Sequence, residues 1–431
     1  MKSGATKFAQ EKATRTNRAM SGSPSKAMAL TIASGPLLAL ACALSLIASA
    51  FSHETGASSR APSDNRPAAY LPLALHAADP TVTEPAVQLL VQPYLGETTR
   101  TSAVISWATK DGGASEIRYS LNRSYGKVVP ASSSVSDGVH WHSSTATGLT
   151  AGSRYYYRVY TAGQDVTPWA EVSFRTAPAS SSTDLTFAVL GDSRPWGASK
   201  PPSQGAWDVA AELARHTFDL ALHVGDIVHS GGVCAGNDSG WQQYIRAYFD
   251  VYQASAGHTP FYPAVGNHEL NGGSCGYESY TDVYQLRGNA PTGAKEEYYS
   301  FDWANAHFVS LDSSQDYTEG STQHNWLVRD LKSTTQPWIF VFFHYPAYSS
   351  GAHGSTDAVQ TQLVPVFETY GVDIVFAGHD HQYERTCPIR KGACTTPQAG
   401  GVLYFVTGGA GAPLYGAAGD WFTEYGAEVY H

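Results

Sequence analysis

Charge and sulphur are both scarce in this sequence. Charged residues make up 15% of the 431 residues, and the chain has 5 cysteines and 3 methionines but no Cys-x-x-Cys pair. Because zinc and dithiol sites commonly use that spacing, its absence argues against metal-binding thiols. Hydrophobic residues make up 42% of the chain. A chain of this length and composition can bury a large core in two or three domains.

Positive charge is scarce beyond the first 26 residues. That segment has six Lys and Arg residues against one Glu, a local charge of +5 within a total of −10, so the remainder stands at −15. An acidic chain repels a nucleic-acid backbone, and we therefore expect no nucleic-acid partner. The sequence also shows no internal repeat, no coiled-coil pattern and no second apolar segment of membrane length.

One long apolar segment follows the basic residues. Residues 27–50, AMALTIASGPLLALACALSLIASA, end in the small-x-small pattern of a signal-peptidase site. We expect residues 1–50 to be a signal peptide and the protein to be secreted or held at the cell surface. The segment is also long enough to span a bilayer, so a retained signal anchor is the alternative. Contact with a membrane is expected only in that case.

Four cysteines would remain after removal of residues 1–50, and an even number in an oxidising compartment predicts disulfides. Three pairings are possible. We expect Cys234 to pair with Cys275 and Cys387 with Cys394. The second pair closes a short loop, so it would brace local geometry more than it adds global stability.

The pattern changes twice after the apolar segment. Residues 51–84 are rich in Ala, Pro and Ser, which is typical of a linker. Residues 85–177 hold short β-rich runs between turn residues, at the spacing of an antiparallel sandwich. From residue 183 to 431, apolar strands alternate with helical patterns, which predicts a layered α/β domain. Strands are expected at 185–190, 220–224, 261–265, 307–311, 338–343, 373–377 and 402–406, and helices within 203–217, 240–254, 322–333 and 357–371.

Five of these strands end in polar residues. The five endings are Gly191-Asp192, Gly225-Asp226, Gly266-Asn267-His268-Glu269, His344 and Gly378-His379-Asp380-His381. The carboxyl ends of strands in an open α/β sheet gather along one edge, where ligands bind. Carboxylate, amide and imidazole ligands suit Zn, Fe and Mn. The sequence therefore predicts a metal site at this edge, with glycines that permit abrupt turns and close approach of the backbone.

This ordered set of motifs resembles that of the calcineurin-like metallophosphoesterases. Within them it is most similar to the purple acid phosphatases, because a fibronectin type III-like domain comes first and the last motif continues as Tyr383-Glu384-Arg385. The resemblance implies an α/β domain built as a four-layer αββα sandwich, preceded by an all-β sandwich. Since the chain stops within strand-like residues, we also expect that this sequence is truncated relative to the family.

The resemblance also implies a set of metal ligands for two ions. Asp192 and His381 would bind the first ion, Asp226 would bridge both, and the second would be bound by Asn267, His344 and His379. The metals would be Fe, Zn or Mn, and we expect a divalent pair.

Two histidines and one arginine are the expected catalytic residues. His268 would bind phosphate or donate a proton, and His353, nine residues after His344, matches a second substrate-side histidine. Arg194 could pair with phosphate oxygens. A solvated loop histidine and a surface ion pair remain the alternatives for His353 and Arg194. Glu384 and Arg385 are expected to hold the histidine turn in place.

Two positions depart from the family pattern. The tyrosine of Gly-Asp-x-x-Tyr is replaced by His229, and Asp192 is followed by Ser193 and Arg194 where many relatives have Asp-x-His. A neutral imidazole favours Fe(III) less than a phenolate does, so the replacement favours divalent ions. We expect His229 to be a ligand in place of the missing histidine; the alternatives are that it supports a neighbouring ligand or faces the substrate.

The implied activity is hydrolysis of small-molecule phosphate monoesters. A phosphodiesterase or nucleotidase that uses the same centre is the nearest alternative. A non-catalytic surface-binding protein, in which the metal domain is degenerate, is the other.

Overall fold

A computed structural model describes residues 87–136, 138–230, 240–270, 278–284, 286, 288–291 and 296–431. Its first part contains nine strands. They are β1 (Leu89–Thr98), β2 (Ser102–Thr109), β3 (Ser115–Ser120), β4 (Lys127–Pro130), β5 (Ser132–Ser136), β6 (Val139–Thr147), β7 (Arg154–Thr161), β8 (Gln164–Asp165) and β9 (Ser173–Arg175).

These nine strands form two facing antiparallel sheets. One has the order β1-β2-β6-β5, and the other has the order β4-β3-β7-β8 with β9 beside β7. Side chains alternate between the two faces of a strand. In β7 the alternation buries Tyr155, Tyr157 and Val159, which pack with Trp107 of the facing sheet and with Ile117 of neighbouring β3. The predicted all-β first domain is confirmed.

The second part contains twelve strands and eight α-helices. The strands are β10 (Phe187–Leu190), β11 (Leu220–His223), β12 (Phe261–Pro263), β13 (Tyr299–Trp303), β14 (Ala306–Ser310), β15 (Trp338–Phe342), β16 (Ile374–Ala377), β17 (Tyr383–Thr386), β18 (Ile389–Arg390), β19 (Ala393–Cys394), β20 (Leu403–Thr407) and β21 (Thr423–Ala427). The helices are α1 (Gln204–Leu213), α2 (Gly240–Tyr244), α3 (Asp250–Ala256), α4 (Asn267–Leu270), α5 (Glu278–Val283), α6 (Thr322–Ser333), α7 (Asp357–Gln362) and α8 (Val364–Tyr370). A π-helical turn, Ile245–Phe249, joins α2 to α3.

Two sheets lie at the centre of this domain. One has the order β10-β11-β12, and the other has the order β13-β14-β15-β16-β20-β17-β21. Phe187 of the first sheet packs on Phe308, Phe340 and Phe376 of the second, with ring centroids 5.2–6.0 Å apart. Helices α1 and α3 pack on the outer face of the small sheet, and α6 and α8 pack on that of the large one. The four-layer αββα sandwich is confirmed.

Local sequence accounts for where several elements begin and end. Ser203 and Ser321 cap α1 and α6 by accepting N–H bonds three residues ahead, from Ala206 and His324. Gly371 ends α8 in the left-handed conformation, which glycine adopts without steric cost. All seven strands expected in this domain are present. Strands β13, β17 and β21 were not predicted, because each mixes charged and aromatic residues without a clear apolar run.

The Cys387–Cys394 disulfide is present, as expected, and it closes the hairpin of β18 and β19. Cys234, Cys275, the export segment and the linker lie outside the described residues. Within the described ranges, no helix is both long enough and apolar enough to cross a bilayer.

Candidate metal centre

The predicted polar strand ends meet at one edge of the two sheets. Asp192 follows β10, Asp226 follows β11 and His344 follows β15. Each of these side chains is buried and offers one ligand atom, and the three atoms lie within 4.8 Å of one another. Parallel pairing of β10 with β11 and of β15 with β16 gives these strands carboxyl ends on a common edge. The distances thus bring these three side chains together in one buried group.

Side-chain contacts divide the expected ligands into two groups. In the first, His381 Nε2 lies 3.4 Å from Asp192 Oδ1, and the His379 backbone N–H donates to Asp192 Oδ2 at 3.0 Å. In the second, His344 Nε2 lies 3.3 Å from Asp226 Oδ1 and 2.9 Å from Asn267 Oδ1. The His379 ring lies 5.1 Å from the His344 ring, between their centroids.

The backbone at three of these positions is unusual. Asp192, Asp226 and His379 have φ angles of 57°, 56° and 72°, in the left-handed region that non-glycine residues rarely adopt. Such conformations cost free energy and cluster at functional sites. The neighbouring glycines serve close approach: a Cβ on Gly266 would lie 2.3 Å from Asp226 Oδ1, and one on Gly378 would lie 2.3 Å from Asp192 Oδ2.

Glu269 holds the loop that carries Asp226, a role that the sequence analysis did not assign. Its buried carboxylate accepts N–H bonds of 2.7–3.2 Å from Gly266, Asp226, Ile227 and Val228. Burial and the nearby Asp226 carboxylate raise the pKa of Glu269 to about 7, against the lowering effect of these N–H donors. The Gly-Asn-His-Glu motif therefore supplies a candidate ligand and a clamp for the preceding loop.

The rings of His344 and His381 are fixed by backbone carbonyls. His344 Nδ1–H donates to the carbonyl of Val224 at 3.0 Å, and His381 Nδ1–H donates to that of Pro413 at 2.5 Å. Because a carbonyl only accepts, each ring donates through Nδ1 and turns Nε2 towards the site, as metal-bound histidines do. Tyr415, which the sequence analysis missed, stacks on His381 with centroids 4.3 Å apart.

His223, on buried strand β11, was also missed as a site residue. Its Nδ1 accepts the N–H of Gly225 at 3.3 Å, and its Nε2 lies 3.0 Å from the Ser193 hydroxyl. It therefore links the loops that follow β10 and β11. Its position inside an apolar run did not indicate a site residue, because such histidines are usually core residues whose hydrogen bonds are made within the protein.

The field at this edge stabilises positive charge. Burial disfavours the His344 imidazolium, but the Asp226 and Asp192 carboxylates outweigh burial and raise the pKa of His344. Burial also acts to raise the pKa of Asp226, but His344 and His268 bring that pKa below its usual value. Burial and neighbouring histidines lower the pKa of His379 to about 3, so its ring is kept neutral.

The donor set fits a metal ion. His344 Nε2 lies 3.3 Å from Asp226 Oδ1 and 2.9 Å from Asn267 Oδ1, so these three atoms are close enough to bind one ion together. Carboxylate, amide and imidazole donors suit Zn, Fe and Mn. His229 Nδ1 is buried and has no hydrogen-bond partner among the described residues, so it too could take a ligand position.

Two family models match the chain in the order of its domains. The purple acid phosphatase N-terminal domain matches residues 90–176, and the calcineurin-like phosphoesterase domain matches residues 185–383. The chain carries the two domains of a purple acid phosphatase. Purple acid phosphatases use a dinuclear metal centre, and the buried group of Asp192, Asp226 and His344 could bind metal.

Several relatives are plant purple acid phosphatases. Purple acid phosphatase 21 of Arabidopsis thaliana is 30% identical over 252 residues, which cover 56% of this chain and 52% of that protein. The purple acid phosphatase of Glycine max is 26% identical and covers 75% of this chain and 72% of its own length. The chain thus spans about half the length of the Arabidopsis relative. Another relative, 26% identical, is named probable inactive purple acid phosphatase 9, so membership alone does not establish activity.

A solved structure shares the fold. The purple acid phosphatase from yellow lupin seeds aligns with a TM-score of 0.65 at 20% identity, over 78% of this chain and 68% of that one. At this identity the likeness concerns the fold alone.

Two of the predicted catalytic residues border Asp226. The Arg194 Nε lies 3.4 Å from Asp226 Oδ2, and the guanidinium is largely buried. His268 donates its backbone N–H to Asp226 Oδ1 at 2.9 Å, and its Nε2 lies 3.8 Å from Asp226 Oδ2. His268 Nδ1–H donates to the His229 carbonyl at 2.6 Å. The Arg194 side chain therefore faces the candidate centre and does not form the surface ion pair that was the alternative.

The third, His353, lies on the other side of the site. Its ring centroid lies 4.2 Å from that of His379 and 5.5 Å from that of Tyr415. The residue is exposed, so its imidazole stands at the mouth of the site.

The two residues expected to hold the histidine turn have different roles. Glu384 is fully buried and accepts hydrogen bonds from Ser350 and Thr423. It therefore anchors the segment before His353. The expectation for Arg385 is not met: its guanidinium pairs with Glu424 on the surface, 3.3 Å away, because the β17 pleat turns it away from the site.

Proposed function

We propose that this protein hydrolyses small-molecule phosphate monoesters at a dinuclear metal centre. The observation that supports it most is the buried group of Asp192, Asp226 and His344, whose ligand atoms lie within 4.8 Å of one another. Two carboxylates set against two divalent ions leave an excess of positive charge, which favours a phosphate dianion as substrate.

The ligands divide between two ions in this proposal. Asp192, His381 and His229 would hold the first ion, Asn267, His344 and His379 would hold the second, and Asp226 would contribute to both. When bound, such a pair supplies Lewis acidity and activates water for attack on phosphorus. His229 takes the place of a tyrosinate, so the pair is divalent Zn, Mn or Fe(II) rather than one that includes Fe(III).

The chain's own side chains orient and protonate the substrate. His268 Nδ1 is committed to the His229 carbonyl, so Nε2 is the atom that can meet a substrate oxygen. Arg194, beside Asp226, binds phosphoryl oxygens. His353, at the mouth of the site, reaches the leaving-group oxygen and can donate a proton to it.

Paired substrates test the activity. The protein, freed of metal by a chelator and reloaded with Zn or Mn, is assayed with p-nitrophenyl phosphate and bis(p-nitrophenyl) phosphate. We expect faster turnover of the monoester. Faster turnover of the diester would instead identify a phosphodiesterase, and no turnover with either, in protein that binds metal, would favour a surface-binding role.

We also propose that the protein is exported. The support is the basic and apolar amino-terminal sequence, and the Cys387–Cys394 disulfide, which forms in oxidising compartments. The expected mature chain begins near Phe51. Amino-terminal sequencing that finds residues before Ala50 would favour a retained anchor.

A further inference from the structure

Asp380 lies between two proposed ligands but does not face the site. The ring of His381 approaches Asp192, whereas the Asp380 carboxylate is fully buried against a different segment. That segment, residues 349–354, is called the His353 loop below. It joins the end of β15 to α7.

Three hydrogen bonds fix the His353 loop to this carboxylate. Ser349 Oγ donates to Asp380 Oδ2 at 2.5 Å, the N–H of His353 donates to Oδ1 at 2.8 Å, and the N–H of Gly354 donates to Oδ2 at 3.2 Å. The loop wraps closely: a Cβ on Gly351 would lie 2.4 Å from Asp380 Cγ. A buried carboxylate with three donors is a stronger anchor than a neutral acceptor, because bonds to a charged group are roughly twice as strong.

The anchored residue is the one that stands at the mouth of the site. The hydrogen bond from the His353 backbone N–H to Asp380 fixes the backbone position of His353. The exposed side chain of His353 has its ring centroid 4.2 Å from that of His379. Glu384 holds the same loop at Ser350 through two bonds of 2.8 Å, but it does not contact His353 itself.

We propose that Asp380 is a positioning residue that sets the His353 imidazole over the metal centre. One four-residue turn, Gly378-His379-Asp380-His381, then supplies two metal ligands and also fixes the substrate-side histidine. The inference rests on the proposed phosphatase function for its kinetic consequence, although the anchoring of the loop does not depend on activity.

A double-mutant cycle tests the proposal. We expect Asp380→Asn and His353→Ala each to lower kcat by about 10²-fold, since a displaced catalytic group costs about that much. The double variant should be no slower than the His353→Ala variant, because Asp380 acts only through His353. Additive losses would overturn the proposal. Asp330→Asn, which removes a buried carboxylate outside the site, is the matched control, and its effect should add to that of His353→Ala.

Hydrogen exchange tests the anchoring apart from turnover. In Asp380→Asn, the amides of His353 and Gly354 should lose protection, while the metal content per chain stays that of the unmutated protein. Unchanged protection at both amides would overturn the proposal. If the unmutated protein binds metal but hydrolyses no ester, the proposed function fails, and the exchange experiment still decides whether Asp380 holds the loop.

Discussion

The carboxylate of Asp226 contacts more of the centre than any other proposed ligand described here. Its oxygens lie near His344, His268 and Arg194. In the proposed centre, Asp226→Asn would remove the charge that both ions share. We therefore expect this variant to contain less than one ion per chain and to lose turnover. Metal analysis and rates on a monoester measure both effects. Asp208→Asn, an exposed carboxylate on α1, is the control, and an Asp226→Asn variant that keeps two ions and its rate would rule out the bridging role.

His268 should separate chemistry from metal binding. Because it contacts Asp226 and is proposed to meet the substrate rather than an ion, His268→Ala should lower kcat by about 10²-fold to 10⁴-fold and leave the metal content unchanged. Loss of one ion in this variant would make His268 a ligand instead.

The residue type at position 229 determines which metal ions the proposed site favours. A phenolate at this position would give a ferric site a visible charge-transfer band, whereas an imidazole does not, so we expect a colourless active protein. His229→Ala should weaken the binding of one ion and spare the other, as calorimetric titration of metal-free protein would measure. His216→Ala, an exposed histidine at the end of α1, is the control. An intense visible band in the unmutated protein would require a tyrosinate from another residue, such as Tyr415, and would contradict this account.

At the scale of elements, the short helix α4 connects two loops that carry proposed metal ligands. It begins at Asn267 and carries Glu269, whose two oxygens each accept two N–H bonds of the Asp226 loop and Gly266. Glu269→Gln would turn an amide NH₂ towards two N–H donors. We expect it to lower the free energy of unfolding by about 2–4 kcal/mol and to reduce metal content. Urea denaturation measures the first effect, with exposed Glu319→Gln as control, and an unchanged midpoint would show that the clamp is dispensable.

The sequence predicted the elements that place the ligands, because buried parallel strands are apolar runs and a polar ending after each is conspicuous. It could not predict which backbone groups orient the rings, since the carbonyl of Pro413 is remote from His381 in sequence and carries no residue-specific signal. The sequence motifs include Asp380 and Glu269, but the sequence does not show which groups bind these carboxylates. Those partners are backbone N–H groups of loops, whose positions follow only from the fold.

At the scale of the whole molecule, a partly buried ion cluster outside the candidate metal centre links stability to pH. His307 on β14 bridges Asp302 and Asp330 through bonds of 2.7 and 2.8 Å. Burial alone would lower the pKa of His307, but the two carboxylates outweigh it and raise the pKa from 6.5 to about 9. The folded state thus binds the proton more tightly than the unfolded chain does. This contribution is complete below about pH 6.5 and is lost as pH rises through about 9.

A variant tests this linkage. We expect His307→Gln to lower the melting temperature at pH 6 and to reduce its fall between pH 7 and pH 10, because the contribution of up to about 3 kcal/mol is then absent at every pH. Thermal unfolding at several pH values measures both. Parallel curves for the variant and the unmutated protein would show that the cluster does not titrate as described.

The dinuclear centre is tested most directly by counting metal ions. Protein stripped by a chelator, reloaded with Zn or Mn and dialysed should contain two ions per chain by elemental analysis, and activity on a phosphate monoester should rise with occupancy of the second ion. Less than one ion per chain after reloading would contradict the account, because the buried group of Asp192, Asp226 and His344 would then not hold the ions that the proposed centre requires.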